Sequence, residues 1–561
     1  MGAAPSVVGM TTHTHHLVRR ALVVAATLAA STAHVSAAAA SVGFERPSDD
    51  TPAPAASIVT ADRNGVRVGL LGLTGRVRLT YMGDDVVLRW RLVGRRGRTT
   101  SWRPARGAAV VARLDTHMLP DGPYELELAV REEDGTVERE SAFVVIRNAA
   151  PVHYPGDDEE EGNASVGLTQ RAQDDRAVVG AFGRSSYRAG SSATLRLANG
   201  YPALRVDILR CGPESELTIG NETMRGVRVA SLRGGGRQLR VSLGADWPSG
   251  LYVARMRSTR GRVGFAPFVL RPRRLGASRV AVVQPTNTWQ AYNYRDGDGD
   301  GRPDSWYRNS SSRTVDTTRP FLDRGVPPHF RQYDVTFLRW LDRTGRRVDM
   351  LAQEDIERVS GDRLARLYDL IVFPGHHEYV TEREYDAVER YRNLGGNLAF
   401  LSANNFFWRV DRRGNRLHRI AMWRDIGRPE AALVGVQYFD WNHGTHDNEQ
   451  YRAVGVAAAP WLFEGTGIVA GKRFGSFGIE VDGRTAASPR GIRVLATYPN
   501  AFGTGRPAEM TYYETSRGAR VFATGAFSLA GTQLRQPGFT RLLGNLWDRL
   551  AAPRWRPVGA R

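Results

Sequence analysis

The sequence predicts a mixed α/β and all-β chain: two N-terminal Ig-like β-sandwiches followed by a doubly wound α/β domain. Three observations lead there. Over residues 277–552, short apolar runs alternate with helical stretches, the pattern of a parallel sheet covered on both faces. Over 58–147 and 166–272, alternating strand patterns recur roughly every ten residues between turn residues, the spacing of a sandwich. Between these blocks lie segments unsuited to a core: the Pro-, Ala- and Ser-rich stretch 42–57, and Pro155-Gly156 with the acidic run Asp157 to Glu161. The length of 561 residues suits three or four domains, at about 100–200 residues each.

In chain order, the N-terminus reads as an export signal over 1–41. Arg19-Arg20 supply a charged region and Ala21 to Ala33 an apolar one too short to span a bilayer comfortably, with Val35-Ser36-Ala37 as a cleavage site. A retained anchor is the alternative; no other segment has the length and apolarity to cross a membrane, so the mature chain is expected to be secreted or held at the cell surface. The first β block has strands at Val66–Leu71, Arg76–Tyr81, Val86–Leu92, Ala108–Leu114, Tyr124–Arg131 and Ser141–Ile146, punctuated by Asp121-Gly122-Pro123 and Asp134-Gly135. The second has strands at Ala193–Leu197, Arg205–Leu209, Leu239–Leu243, Leu251–Met256 and Phe265–Leu270. Neither block gathers ionisable residues, so both read as scaffold.

The α/β region opens with a strand at Val280–Val283. A helix near Phe337–Thr344, a strand near Val348–Met350 and a helix near Gln353–Val359 follow. Leu370 to Phe373 is an apolar run bounded by Pro374-Gly375, as suits a strand buried on both faces. Thr381 with Glu384 forms a capping box for a helix from Glu382 to Leu394, which Gly395-Gly396 ends. Leu398 to Leu401 is the next strand, completing a βαβ unit. Residues 430–530 are richer in strands, and a helix near Gly538–Leu550 closes the region.

Composition narrows the function. The net charge is +19, yet all but one of the 77 basic residues are arginine, scattered along the chain without basic runs interleaved with aromatics. That distribution argues against a nucleic-acid partner. The single cysteine, Cys211, excludes an intrachain disulfide and a cysteine-based zinc site.

Three polar clusters remain. His376, His377 and Glu378 follow the end of one strand, and Asn404 and Asn405 the end of the next; ligands bind outside the carboxyl ends of such strands. The run 296–304 has Asp296, Asp298, Asp300 and Asp304 at calcium-loop positions 1, 3, 5 and 9, Gly301 at 6 and the Arg302 carbonyl at 7, with Tyr307 where a bidentate glutamate normally stands. A structural Ca2+ is expected there, against the reading of a plain acidic turn. Trp441 to Asp447, with His443 and His446 three apart, reads as a polar loop at the rim of the crevice, with a second metal cluster as the alternative.

Four motifs carry a family resemblance: Pro285-Thr286-Asn287-Thr288-Trp289-Gln290-Ala291-Tyr292-Asn293, Phe373-Pro374-Gly375-His376-His377-Glu378-Tyr379, Leu401-Ser402-Ala403-Asn404-Asn405 and Tyr513-Glu514. Together they resemble the large (beta) subunit of N,N-dimethylformamidase and its relatives. The resemblance covers 277–552, and extends to 166–272 through Asp246-Trp247-Pro248-Ser249-Gly250-Leu251-Tyr252 and Pro267-Phe268-Val269. It implies a glutamine-amidotransferase-like α/β fold and a mononuclear iron (Fe3+) held by two tyrosines and a glutamate. Tyr292 and Glu378 match two ligands; Tyr333 is the choice for the second tyrosine, with Tyr379 its rival. By the same matching His376 and Asn404 fall in the polar pocket and Glu514 on the catalytic carboxylate.

Phenolate and carboxylate are hard donors that suit Fe(III) better than Zn(II). Water bound to such a cation loses its proton more readily and can serve as nucleophile. The leading expectation is therefore an exported, iron-dependent hydrolase of a C–N amide bond in a small linear amide, with a homo-oligomer left open. The alternative is a non-catalytic surface or binding protein whose α/β domain is degenerate. Amidotransferase chemistry itself needs a cysteine after Leu398–Leu401, where Asn404 and Asn405 stand instead.

Overall fold

The computed structural model describes residues 177–553, apart from 216–217, 219–220, 300–301, 308–311, 443–449, 476–478 and 527–528, and before residue 177 a set of strands and short turns between 23 and 175. Apart from the strand Val23–Thr27, the expected export signal lies outside the described residues, as do Asp300, His443 and His446. Among the described residues no helix is long and apolar enough to cross a membrane.

The chain divides into two compact units. The first holds two four-stranded sheets. In one of them Val86–Gly94, Gly122–Arg131 and Val137–Ile146 pair antiparallel. Trp90, Leu92, Leu126 and Leu128 are buried there, the one-sided burial that period-two alternation dictates.

In the second unit, the strands between Gly180 and Arg271 form a single six-stranded sheet. The strands expected at Ala193–Leu197 and Arg205–Leu209 are one continuous strand, Ser192–Arg210, whose partner is Val227–Ser242 with register shifts along the pair. The path through the sheet ends on Gly180–Phe182 and Ser186–Arg188, neighbours in the chain, and Val227–Ser242 flanks Ser192–Arg210 off that path. Alternation along Gly250–Ser258 and Val263–Arg271 serves two cores. Tyr252, Ala254, Met256, Phe268 and Leu270 pack with Leu195, Val206 and Val241 in the core of this block. Leu251, Val253, Phe265 and Val269 face the core of the α/β region.

The α/β region is built on a nine-stranded sheet. Five strands are parallel, in the order Asp349–Ala352, Val280–Gln284, Leu370–Phe373, Asn397–Phe400, Arg520–Ala523. Ala508–Glu514, Arg493–Tyr498, Tyr451–Ala453 and Arg473–Phe474 extend it antiparallel. Alternation in the short apolar runs works as expected. Val280, Val282, Leu370, Val372, Ala399 and Leu401 pack on one face, with the helices Val335–Arg343 and Pro537–Leu550. Ala281, Val283, Ile371, Phe373, Leu398 and Phe400 pack on the other, with Gly361–Leu367 and Glu382–Asn393. Phe373 stacks on Phe400 at 5.0 Å and 7°, a pair contributing about 0.5–1.5 kcal/mol beyond its burial. The Thr381 hydroxyl accepts from the Glu384 N–H, so the expected cap starts this helix. The helix expected over Gln353–Val359 is shorter, Gln353–Ile356.

In chain order the first parallel strand, Val280–Gln284, lies between the second and the third. The winding therefore reverses between Val280–Gln284 and Leu370–Phe373, and a crevice opens at the carboxyl ends of strands where that happens. A smaller sheet of Thr314–Asp316, Arg416–Met422, Trp408–Arg413 and Tyr379–Thr381 begins at that edge. Ala291, Tyr292, Trp306, Val315, Tyr379, Val410 and Leu417 form its core.

Candidate functional site

The crevice between these two strands is filled by the segments that follow them. After Val280–Gln284 comes a one-turn helix, Thr286–Ala291, ending on Tyr292. After Leu370–Phe373 comes the extended segment 376–378. Extended backbone turns alternate side chains to opposite sides, and the adjacent histidines separate accordingly. His377 turns back into the sheet, with Nδ1 3.0 Å from the Gly375 carbonyl and Nε2 3.0 Å from that of Val283. Burial pushes its pKa down to about 3. His376 and Glu378 point the other way, into the crevice. Thr288 Oγ1 accepts the Glu378 N–H at 3.2 Å, fixing this loop to the helix that carries Tyr292.

The result is a buried oxygen-rich cluster. The Tyr292 hydroxyl donates to Glu378 Oε2 at 2.7 Å and lies 3.0 Å from His376 Nε2. His376 Nε2 is 3.3 Å from Glu378 Oε2 and 3.8 Å from Glu480 Oε2. The Tyr379 hydroxyl also bonds Glu378, and burial followed by the Glu378 charge pushes its pKa well up. Tyr292, His376, His329 and Tyr333 line one cavity with about 10 Å3 of free room, enough for about one water.

His329 has φ +58°, a left-handed conformation that a non-glycine residue adopts at a cost of about 1–3 kcal/mol. Its ring stacks on Tyr333 at 5.3 Å, and its buried Nδ1 has no hydrogen-bond partner. Burial, reinforced by His376, pushes its pKa down to about 3, so it is neutral at pH 7. Asp334 lines the same cavity, and burial raises its pKa to about 8.

Asn404 follows Asn397–Phe400 in a left-handed conformation, φ +52°, which asparagine tolerates better than most residues. Its N–H donates to Asp482 Oδ1 at 2.9 Å, while its buried side-chain Oδ1 has no partner. Burial lifts Asp482 to about 7, partly offset by that N–H. Tyr333 packs against Ala403 and Ile479, the neighbours of Asn404 and Glu480 in the chain. Two strand ends, the 329–333 turn and the strand Glu480–Gly483 therefore meet in one place.

Of the residues the sequence pointed to, Tyr292, Glu378, His376 and Tyr333 come together here, with Asn404 beside them and Tyr379 touching Glu378 from the small sheet. Glu514 does not join them. It ends the antiparallel strand Ala508–Glu514 opposite Arg520, at the amino end of the parallel strands and so at the opposite edge of the sheet. There it is exposed and accepts from Tyr512 at 2.6 Å. The carboxylate that does reach the site is Glu480. With His329 and Asp334 it escaped the sequence reading. The run Ile479-Glu480-Val481-Asp482-Gly483, with acids at alternate positions of a short strand, was the one local sign of it.

The acidic loop forms a separate cluster. One carboxylate oxygen from each of Asp296, Asp298 and Asp304 lies within 4.8 Å of the others. Asp296 Oδ1 accepts from Gly299 N at 2.7 Å and Asp304 Oδ2 from Gly297 N at 2.8 Å, with Arg319 3.6 Å from Asp304. Gly299 takes φ +80°, which the turn requires. Arg302 is exposed.

Fold and site together define an α/β domain with a doubly wound parallel half and a buried tyrosine–carboxylate–histidine cluster at its switch point. Residues 236–534 match the family model described as N,N-dimethylformamidase beta subunit-like, C-terminal, and the chain belongs to that family. The match begins inside the strand Val227–Ser242, so it takes in part of the six-stranded sheet as well as the α/β region. The N,N-dimethylformamidase beta subunit of Paracoccus aminophilus is 27% identical over 158 residues, covering 28% of this chain and 19% of that one. The chain thus aligns with about a fifth of that relative's length. Two solved structures also align: a biofilm-associated protein BSP domain (5% identity, 35% of this chain, 27% of the other, TM-score 0.12) and murine CEACAM1b (11%, 36%, 94%, TM-score 0.11). Scores that low carry no statement about fold.

Proposed function

We propose that the chain is a metal-dependent amidohydrolase acting on a C–N bond of a small amide in the Tyr292 crevice, on an α/β domain akin to those of glutamine amidotransferases. The observation that carries this reading is the 2.7 Å contact between the Tyr292 hydroxyl and Glu378, beside His376, in a buried cavity that Tyr333 also lines. A phenol and a carboxylate brought together out of water form a hard donor set. It fits Fe(III), with Tyr292, Glu378 and Tyr333 as the holding residues and Tyr379 as the alternative third. When bound, such a cation supplies polarisation of the amide carbonyl and a more acidic water.

The chain's own residues do the rest. Glu480, reached through His376 at 3.8 Å, takes a proton from the attacking water, and His376 carries it toward the departing nitrogen. Water's oxygen bonds to the carbonyl carbon, the C–N bond breaks, and the amine leaves with that proton. The buried Asn404 side chain, near the Tyr333 wall, holds the substrate where charge develops on the carbonyl oxygen.

Metal analysis of the full chain with a visible spectrum tests this. Stoichiometric iron with a phenolate-to-iron absorption is expected. Tyr333→Phe should weaken or shift the band, whereas Tyr379→Phe should leave it. A band lost only in Tyr379→Phe exchanges the two tyrosines; an iron-free, colourless protein ends the metal reading. We also propose Ca2+ at Asp296, Asp298 and Asp304, on the strength of their convergent carboxylates. Chelation by EGTA should lower Tm reversibly, and a Tm that ignores both EGTA and added calcium removes it.

The alternative, a binding module with a degenerate domain, predicts that the same pocket holds a ligand without turnover. An amide substrate panel separates the two.

A further inference from the structure

A second concavity lies apart from the Tyr292 crevice. It is a hollow of about 670 Å3 between the helices Val335–Arg343 and Pro537–Leu550, and it shares no lining residue with the cavity at Tyr292. Five arginines line it, Arg339, Arg343, Arg346, Arg535 and Arg541, against one carboxylate, Asp548. That carboxylate is committed to Arg346 at 2.8 Å, and the same guanidinium is stacked over Trp340 and Trp547.

Arg343, Arg535 and Arg541 have no such neutraliser among the described residues, whereas the Arg339 charge is felt by the Glu214 carboxylate. Arg339 is buried and donates to the Ser215 carbonyl, Arg343 to that of Arg339 and Arg541 to that of Glu464. Among the described residues no carboxylate pairs with Arg343, Arg535 or Arg541. Asp342 turns to Arg210, and Glu214 caps the Gly212 N–H. On the wall, Thr218 is 4% exposed and its hydroxyl has no hydrogen-bond partner among the described residues. Partial desolvation, together with repulsion from Arg331 and Arg339, pushes the pKa of Arg535 down.

Like charges crowded into a concave, partly desolvated wall raise the free energy of the empty pocket. An oppositely charged ligand lowers it, and low-dielectric walls concentrate the field. We infer that this hollow binds a small polyanion bearing two or more oxyanion groups, phosphoryl or carboxyl, which the rim guanidiniums clamp in bidentate fashion while its body lies against Trp340 and Leu534. The volume falls in the range of about 300–1,000 Å3 usual for small-molecule sites, and planar guanidinium forks match phosphate and carboxylate geometry.

Isothermal titration of the full-length chain with inorganic pyrophosphate and, separately, with citrate tests the assignment. Saturable binding that weakens as salt rises is expected for at least one probe, and which probe binds tells phosphoryl from carboxyl ligands. The double variant Arg535→Gln/Arg541→Gln should bind at least ten-fold more weakly, whereas Arg363→Gln, at an exposed position on the helix Gly361–Leu367, should bind like the parent. Arg535→Gln alone should show an unchanged or higher Tm without ligand, because it relieves repulsion, together with a smaller Tm rise on adding the anion; loss of mere structure would lower the first. The inference is overturned if neither probe binds saturably, if the double variant binds as the parent does, or if Arg363→Gln loses as much as the double variant.

Discussion

Glu378→Gln is expected to remove the iron and the amide hydrolysis together. The carboxylate is buried and accepts from the Tyr292 hydroxyl at 2.7 Å, lies 3.3 Å from His376 and holds the Tyr379 hydroxyl. The amide has nearly the same shape but no charge, so it cannot balance a hard cation or help ionise a neighbouring phenol. Losing an outer-shell partner typically costs about 10- to 100-fold in metal affinity, and loss of a direct ligand should exceed that. Iron per chain, the phenolate band and kcat/KM should all fall, while Tm without metal stays near the parent value because the replacement keeps the volume. A variant that retains one iron per chain and full turnover would rule Glu378 out as a ligand and take the proposed site with it.

The second large effect is expected at Glu480. Glu480→Gln should lower kcat by about 100- to 10,000-fold, the usual range for a lost general acid–base group, while iron and the absorption band remain. Glu514→Gln, by contrast, should leave kcat within about two-fold of the parent, the scatter of a surface change worth roughly 0.5 kcal/mol or less. The contrast follows from strand direction. Glu480 opens a strand bonded to residues 525–526, just beyond the carboxyl end of Arg520–Ala523. Glu514 sits opposite Arg520, where that same strand begins. If Glu514→Gln abolishes turnover and Glu480→Gln does not, the proton transfer proposed above is assigned to the wrong edge of the sheet.

The same contrast separates what could be read from the residues from what could not. The run Leu370–Phe373, the cap at Thr381, the stop at Gly395 and the next run near Leu398 gave a βαβ unit whose strand and helix bounds agree with the structure to a residue. Those signals lie in contiguous residues and report local physics: apolar periodicity, an orphan N–H and a glycine at φ +89°. From them followed the crevice at the strand ends, and with it His376, Glu378 and Asn404. The separation of His376 from His377 was less legible, because two adjacent histidines look alike until one knows which side of an extended loop faces the sheet.

Read alone, the residues set the parallel α/β core and the family, and they pointed to the carboxyl edge of the strands as the place to look for a site. Which distant groups meet there was settled by the folded chain and not by any local run of residues. It brought in His329 from a turn in an unusual conformation and Glu480 from a short strand nearly two hundred residues after Tyr292, and it sent Glu514 to the far edge. The reason is that burial periodicity is the same whichever way a strand runs. The run Ala508–Tyr513 predicts a buried strand equally well parallel or antiparallel, and its direction, set by pairing with Arg520–Ala523, decides which end of the sheet the last side chain reaches.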